Sequence, residues 1–210
     1  MVRILIVEDH AIVREGIKRI VENAGGIQVA GEVADGHAAI EWLRSNEVDM
    51  VLLDISLPGK SGLEVLKRMR IEKPELPVLM LSMYPEDQYA VRVLKAGAAG
   101  YLSKESVPEQ LVNAIHKVAK GKKYISEYVA ERLAGGLDAA SVESLHDLLS
   151  NRELEILVKI ALGRSPAQIA EELNLSPKTI GTYRGRVLRK MNMQSSAELI
   201  HYAIKHGLVM

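Results

Sequence analysis

The 210 residues contain no cysteine, 48% apolar side chains, and 27 basic against 27 acidic groups. That is room for one large domain or two compact ones at about 100–200 residues each, with enough apolar material for buried cores. Disulfide frameworks, thiol catalysis and cysteine-ligated metals are excluded, and no apolar run approaches the ~20 residues of a membrane span, so a soluble, cytoplasmic protein is expected.

The zero net charge hides an asymmetry. Residues 1–147 carry 18 Lys and Arg against 22 Asp and Glu, whereas residues 148–210 carry 9 against 5. The first part is net −4 and the second net +4, a split that suits a polyanionic partner for the C-terminal part.

Five short runs rich in branched residues, at 4–7, 29–33, 50–53, 78–81 and 100–102, read as strands. Between them lie helical spacings: Ile12, Val13, Ile17, Ile20 and Val21; Ala39, Ile40 and Leu43; Leu63, Leu66 and Met69. The strands are continuously apolar, so both sheet faces are covered, as in a doubly wound parallel α/β sheet. A fifth helix is expected over 107–120, a short helix over 127–133, and a linker over 134–147, where Gly135 and Gly136 precede small and acidic residues. From 148 the pattern is purely helical, with helices expected at 152–162, 166–173, 177–191 and 197–205. Ser150, Ser165, Ser176 and Ser195 or Ser196 occupy N-cap positions, and Pro166 and Pro177 the first helical ones.

In an open parallel sheet, ligands bind beyond the carboxyl ends of the strands. Glu8 and Asp9 follow the first strand, Asp54 ends the third, Ser82 ends the fourth and Lys104 lies past the fifth. Three carboxylates gathered on one rim need protons or a cation, and a hard oxygen-liganded ion such as Mg²⁺ meets that need. With Asp54 as nucleophile, and Lys104 and the Ser82 hydroxyl beside it, the set is complete for phosphoryl transfer, which depends on positioning and electrostatics.

Further on, two short helices joined through Asn174 and Leu175 have the grammar of a helix-turn-helix. On the second, Lys178, Thr179, Thr182, Tyr183, Arg186, Arg189 and Lys190 share a polar arc, and Ile180, Val187, Leu188 and Met191 the opposite one. A basic face of this kind suits the major groove.

The segments Ile6-Val7-Glu8-Asp9-His10, Asp54-Ile55-Ser56-Leu57-Pro58-Gly59 with Gly62, Leu81-Ser82, and residues 95–104 ending in Gly100-Tyr101-Leu102-Ser103-Lys104 resemble the receiver domain of two-component response regulators. Leu148-Leu149-Ser150-Asn151-Arg152-Glu153, the helix pair and Ala197-Glu198-Leu199-Ile200 resemble the LuxR-type output domain of the NarL/FixJ class. The resemblance implies a flavodoxin-like receiver at 1–120, a helix and linker at 121–147, and a DNA-binding domain at 148–210. It implies that Asp54 accepts a phosphoryl group from a sensor histidine kinase, with Mg²⁺ held by Asp9, Asp54, the Ser56 carbonyl and Glu8. It also implies that Ser82 and Tyr101 switch on phosphorylation, altering dimerisation and DNA binding. The chain is then a homodimerising transcription regulator that accepts a phosphoryl group, not a turnover enzyme.

Two departures from the usual pattern matter. Gly181 and Gly185 stand where relatives often carry base-reading side chains, so readout is expected from Thr182, Tyr183 and Arg186, with Lys178, Thr179, Arg189 and Lys190 on phosphates. Arg184, near the apolar arc, is expected to pair within the protein. The two glycines also motivate a competing reading in which the helices bind a protein partner. A haloacid dehalogenase-type phosphatase is the enzyme alternative, but it wants a second Asp where Ser56 stands.

Overall fold

Five strands, β1 (Val2–Val7), β2 (Ile27–Val33), β3 (Met50–Asp54), β4 (Val78–Ser82) and β5 (Gly100–Ser103), alternate with α1 (Ala11–Asn23), α2 (Gly36–Ser45), α3 (Gly62–Glu72), α4 (Glu86–Lys95) and α5 (Pro108–Ala119) in this computed structural model. It describes residues 1–83, 86–127, 129–131 and 144–209, apart from the side chains of residues 87, 88 and 147. The strands form one parallel sheet in the order β2-β1-β3-β4-β5. β3 and β4 are buried at every position, because helices cover both faces. One side of the core joins Ile4, Ile6, Met50, Leu52, Leu79 and Leu81 to Ile17 and Val21 of α1 and Leu111 and Ile115 of α5.

β1 and β2 start two residues before the expected runs. Their first turns pair Val2 with Ile27 and exposed Arg3 with Gln28, and such polar positions interrupt an apolar pattern without interrupting the ladder. β3, β4 and β5 each extend one residue further, into Asp54, Ser82 and Ser103, so polar side chains sit on the last rung. The order of strands reverses at β1, which has β2 on one side and β3 on the other, so the crevice beyond β1 and β3 is where a ligand fits this fold.

The chain divides into two compact units, Met1–Asp138 and Ala139–Met210. Of the short helix expected at 127–133, Glu127 and residues 129–131 are helical, and the remainder lies outside the described residues. The expected linker at 134–147 lies outside them up to 143, while its last residues belong to a 3₁₀ turn, Leu145–Leu148.

The second unit contains α6 (Asn151–Ala161), α7 (Pro166–Glu172), α8 (Pro177–Lys190) and α9 (Ser196–Lys205). Ser150 and Ser165 form capping boxes with Glu153 and Gln168, while Ser176 and Ser195 accept from the backbone amides of Thr179 and Glu198. Ser195, not Ser196, is the cap of α9. Between α7 and α8 the chain turns at Asn174, whose φ of 50° is left-handed, and the Leu175 amide donates to the Ala170 carbonyl at 2.8 Å. Asparagine tolerates that conformation better than most residues, so the helix ends where the motif requires. Leu154, Leu157, Ile169, Ile180, Val187, Met191 and Leu199 are all buried in this unit.

Candidate functional site

The crevice between β1 and β3 is acidic. Glu8 is 0% exposed and Asp54 1%. The Lys104 ammonium holds these two buried carboxylates together, 2.6 Å from Glu8 Oε2 and 2.9 Å from Asp54 Oδ2. Backbone geometry fixes that lysine in turn, since its amide donates to the Ser82 carbonyl at 2.7 Å and ties the ends of β4 and β5 together.

Burial pushes the Asp54 carboxyl above its ordinary range; Glu8 adds to this, while Lys104 and the Ser56 backbone amide oppose it. For Lys104 burial alone would lower the value, but the charges and hydrogen bonds of Asp54 and Glu8 outweigh it and hold the ammonium above its usual range. One ammonium among three carboxylates leaves negative charge unbalanced. Glu8, Asp9, His10 and Asp54 each offer a ligand atom, all within 4.8 Å of one another. Asp9 Oδ1 and Asp54 Oδ1 are buried and accept no well-formed hydrogen bond. Lone pairs of this kind fit a hard cation that takes oxygen ligands, so the cluster can hold a metal ion.

Two positions around Asp54 follow from the path of the chain. Ser56 lies half-buried in the turn after β3. Gly62 opens α3 with its amide donating to the Ile55 carbonyl at 2.8 Å, and a Cβ there would lie 1.9 Å from the Asp54 carbonyl oxygen. No other residue fits that approach without moving the acidic turn. Ser82 is fully buried on the last rung of β4, opposite Ser103, and Tyr101 is 2% exposed on β5.

The sequence reading gave no role to His10 or Arg14. His10 Nδ1 lies 2.9 Å from Asp9 Oδ1 and 3.2 Å from Glu8 Oε1, and Arg14 Nη1 donates to the Glu8 carbonyl at 2.6 Å. A histidine directly after two acids and before a helix was the available signal for the first. Arg14 is one turn into α1, and only the fold shows which way it reaches.

In the second unit, Lys178, Thr182, Arg186 and Arg189 are exposed on α8, Thr179 and Tyr183 are half-buried, and Ile180 and Val187 are buried beneath. Gly181 and Gly185 are exposed, with no atom within 4 Å of where a Cβ would be. The Arg186 guanidinium lies 5.6 Å from the Tyr183 ring centroid, and the Thr182 hydroxyl donates to the Lys178 carbonyl at 3.1 Å. Arg184 Nε donates to Ser196 Oγ at 2.8 Å, between α8 and α9. Lys190, on the same arc and exposed, has a partner within the protein. Its ammonium lies 2.6 Å from Glu153 Oε2 and 3.3 Å from the Leu148 carbonyl, so it compensates a buried carboxylate at the start of α6.

Comparison with known proteins agrees with both halves. Residues 4–116 match the response regulator receiver domain, and residues 147–203 match the bacterial regulatory proteins of the luxR family. The response regulator UvrY of Escherichia coli is 42% identical over 209 residues, covering 99% of this chain and 96% of that protein. The response regulator GacA of Pseudomonas aeruginosa is 37% identical over 210 residues, covering 100% and 98%. Among solved structures, RcsB from Salmonella enterica serovar Typhimurium, bound to the promoter rprA with the phosphomimetic BeF3−, superposes with a TM-score of 0.65 at 26% identity, covering 96% and 98%.

A parallel α/β receiver followed by a helix-turn-helix unit defines a signalling regulator rather than a turnover enzyme. This chain belongs to the response regulators with a LuxR-type output domain. Among the described residues, no helix is long and apolar enough to cross a membrane.

Proposed function

We propose that the chain is a phosphorylation-controlled transcription regulator in which Asp54 takes a phosphoryl group from a sensor histidine kinase. Residues 1–120 are the receiver, 121–147 the connection and 148–210 the DNA reader. One observation carries the reading: Asp54, buried at the C-terminal end of β3, has an oxygen without a well-formed hydrogen bond and an ammonium 2.9 Å from its other oxygen. Asp9, Asp54, the Ser56 carbonyl and Glu8 would hold Mg²⁺, which when bound would neutralise charge on the phosphoryl oxygens. Lys104 balances the remaining charge, and the Ser82 hydroxyl donates a hydrogen bond to the phosphoryl group. Tyr101 is the switch residue; its buried position is the inward one that the family associates with phosphorylation.

On α8, Lys178, Thr179 and Arg189 contact phosphates, and Thr182, Tyr183 and Arg186 read bases. Lys190 is left to position α8 against α6. RcsB dimers bound to parallel DNAs support a homodimer acting on duplex DNA. The cytoplasm is the compartment that such a partner set requires.

Acetyl phosphate with Mg²⁺ is expected to add one phosphoryl group by intact mass, and Asp54→Asn to abolish it. Phosphorylation should raise affinity for paired half-sites, and affinity should fall with salt at a logarithmic slope of about −0.9 per phosphate contacted. Full labelling of the Asp54→Asn variant, or a salt-insensitive complex, refutes the assignment.

A further inference from the structure

After α5 the chain returns along the outer edge of the sheet. The Tyr124 amide donates to the Ala99 carbonyl at 2.9 Å, the Tyr101 amide donates to the Tyr124 carbonyl at 3.3 Å, and Gly100 and Tyr124 form a parallel bridge. β5 therefore has β4 on one edge and Tyr124 on the other. Gly100 fits this arrangement: a Cβ there would lie 2.7 Å from the Tyr124 carbonyl oxygen and 2.9 Å from its Cβ. Lys117 Nζ stands 5.6 Å from the Tyr124 ring centroid, a cation–π contact that holds the ring from the α5 side. A cavity of about 300 Å³ lies alongside β5, lined by Tyr101, Ser103, Gln110, Tyr124 and Ser126.

The backbone that carries the switch residue is thus the backbone that holds the segment leading out of the receiver. The first rungs of β5 are shared: Gly100 faces Leu79 and Tyr101 faces Met80 of β4 in register, while Tyr124 pairs with the same two residues from the outer edge. Hydrogen bonds weaken steeply with length and angle, so a small displacement of Tyr101 acts first on the 3.3 Å bond to Tyr124. We propose that residues 122–126 are a strap that docks on β5 through Tyr124 when Tyr101 is buried and loosens when Tyr101 leaves, so that phosphorylation at Asp54 tightens the strap and shortens the length of chain between the anchored point and the second unit. Tyr124 is a positioning residue in this scheme. It touches neither the phosphoryl group nor DNA. A shorter tether raises the effective concentration of one output domain near its half-site once the other is bound.

The inference rests on the phosphoacceptor reading, and the test separates the two. The full chain is treated with Mg²⁺ and acetyl phosphate, labelling is measured by intact mass, and amide exchange of Tyr101 and Tyr124 and trypsin cleavage after Lys122 and Lys123 are followed in parallel. In the labelled protein, exchange at Tyr124 and cleavage are expected to slow about tenfold. Tyr124→Ala keeps the backbone bonds but removes the ring that Lys117 holds, so it should label at Asp54 like the wild type, yet lose most of the protection and of the phosphorylation-dependent gain in DNA affinity, while Tyr124→Phe keeps both. Gly100→Ala, which pushes the strap off from the opposite side, should behave as Tyr124→Ala and carries the test if that variant fails to fold. Unchanged protection at Tyr124 in labelled wild-type protein overturns the strap alone. A full affinity gain in labelled Tyr124→Ala does the same, and failure of the wild type to label overturns the phosphoacceptor reading and the strap with it.

Discussion

Replacing Lys104 by Met removes the ammonium 2.6 Å from Glu8 Oε2 and 2.9 Å from Asp54 Oδ2 and leaves two carboxylates buried face to face. Removing one partner of a buried ion pair costs about 3–5 kcal/mol, because the remaining charge keeps its desolvation penalty and loses its compensation. Asp54 can relieve part of this by taking a proton, its carboxyl being already pushed upward by burial, so a loss of about 3 kcal/mol is expected without divalent cations near neutral pH. For a unit of this size that lowers Tm by about 12 °C. The pH dependence follows in sign. Loss of Lys104 raises the folded Asp54 value further above the unfolded one, and an acid with a raised folded value favours the native state only when protonated. The deficit is therefore full above the folded value and shrinks as pH falls through it towards the unfolded value, near ~4. On the proposed reading Mg²⁺ binds the native cluster and not the unfolded chain, so at 100 times its Kd it should restore about 2.7 kcal/mol. Urea unfolding followed by the fluorescence of Trp42, the one tryptophan in the chain and part of α2, reads the first unit directly. A variant with the wild-type midpoint at neutral pH in a chelator refutes the account of Lys104 as the charge that holds the crevice together.

Three further outcomes test other parts of the molecule. Gly62→Ala should displace the turn after Asp54 and lower acetyl phosphate labelling at least tenfold while the sheet stays folded by circular dichroism, since its Cβ would lie 1.9 Å from the Asp54 carbonyl oxygen. Lys190→Met should destabilise the second unit by about 1–2 kcal/mol in thermal unfolding, because the buried Glu153 loses its cation. Although burial opposes it, Lys190 and Ser150 hold the Glu153 carboxyl below its ordinary range, so that contribution is present above the unfolded value and is lost as pH falls through the folded one. The same variant should leave the salt slope of DNA binding unchanged, whereas Arg189→Gln reduces it by about 0.9. Asn174→Ala, forced to hold φ of 50°, should cost about 1 kcal/mol, and Asn174→Gly should not.

The alternation of apolar runs and helical spacings was enough to identify a parallel α/β unit followed by helices, because burial on both sheet faces and on one helix face is written into residue periodicity. Glu8, Asp9, Asp54, Ser82 and Lys104 were legible for the same reason: in such a sheet every residue just past a strand falls on one rim, whatever the helices between do. The serine caps and the turn at Asn174 were local and therefore readable. Tertiary structure decided what depends on reach and direction. Lys190 sits on the polar arc of α8 by helical spacing, yet only the packing of α6 against α8 brings Glu153 within 2.6 Å of it. His10 and Arg14 close on the acidic crevice through side-chain directions that spacing does not encode. The pairing of Tyr124 with β5 joins residues more than twenty apart through backbone atoms, which every sequence possesses, so nothing in the side chains announced it.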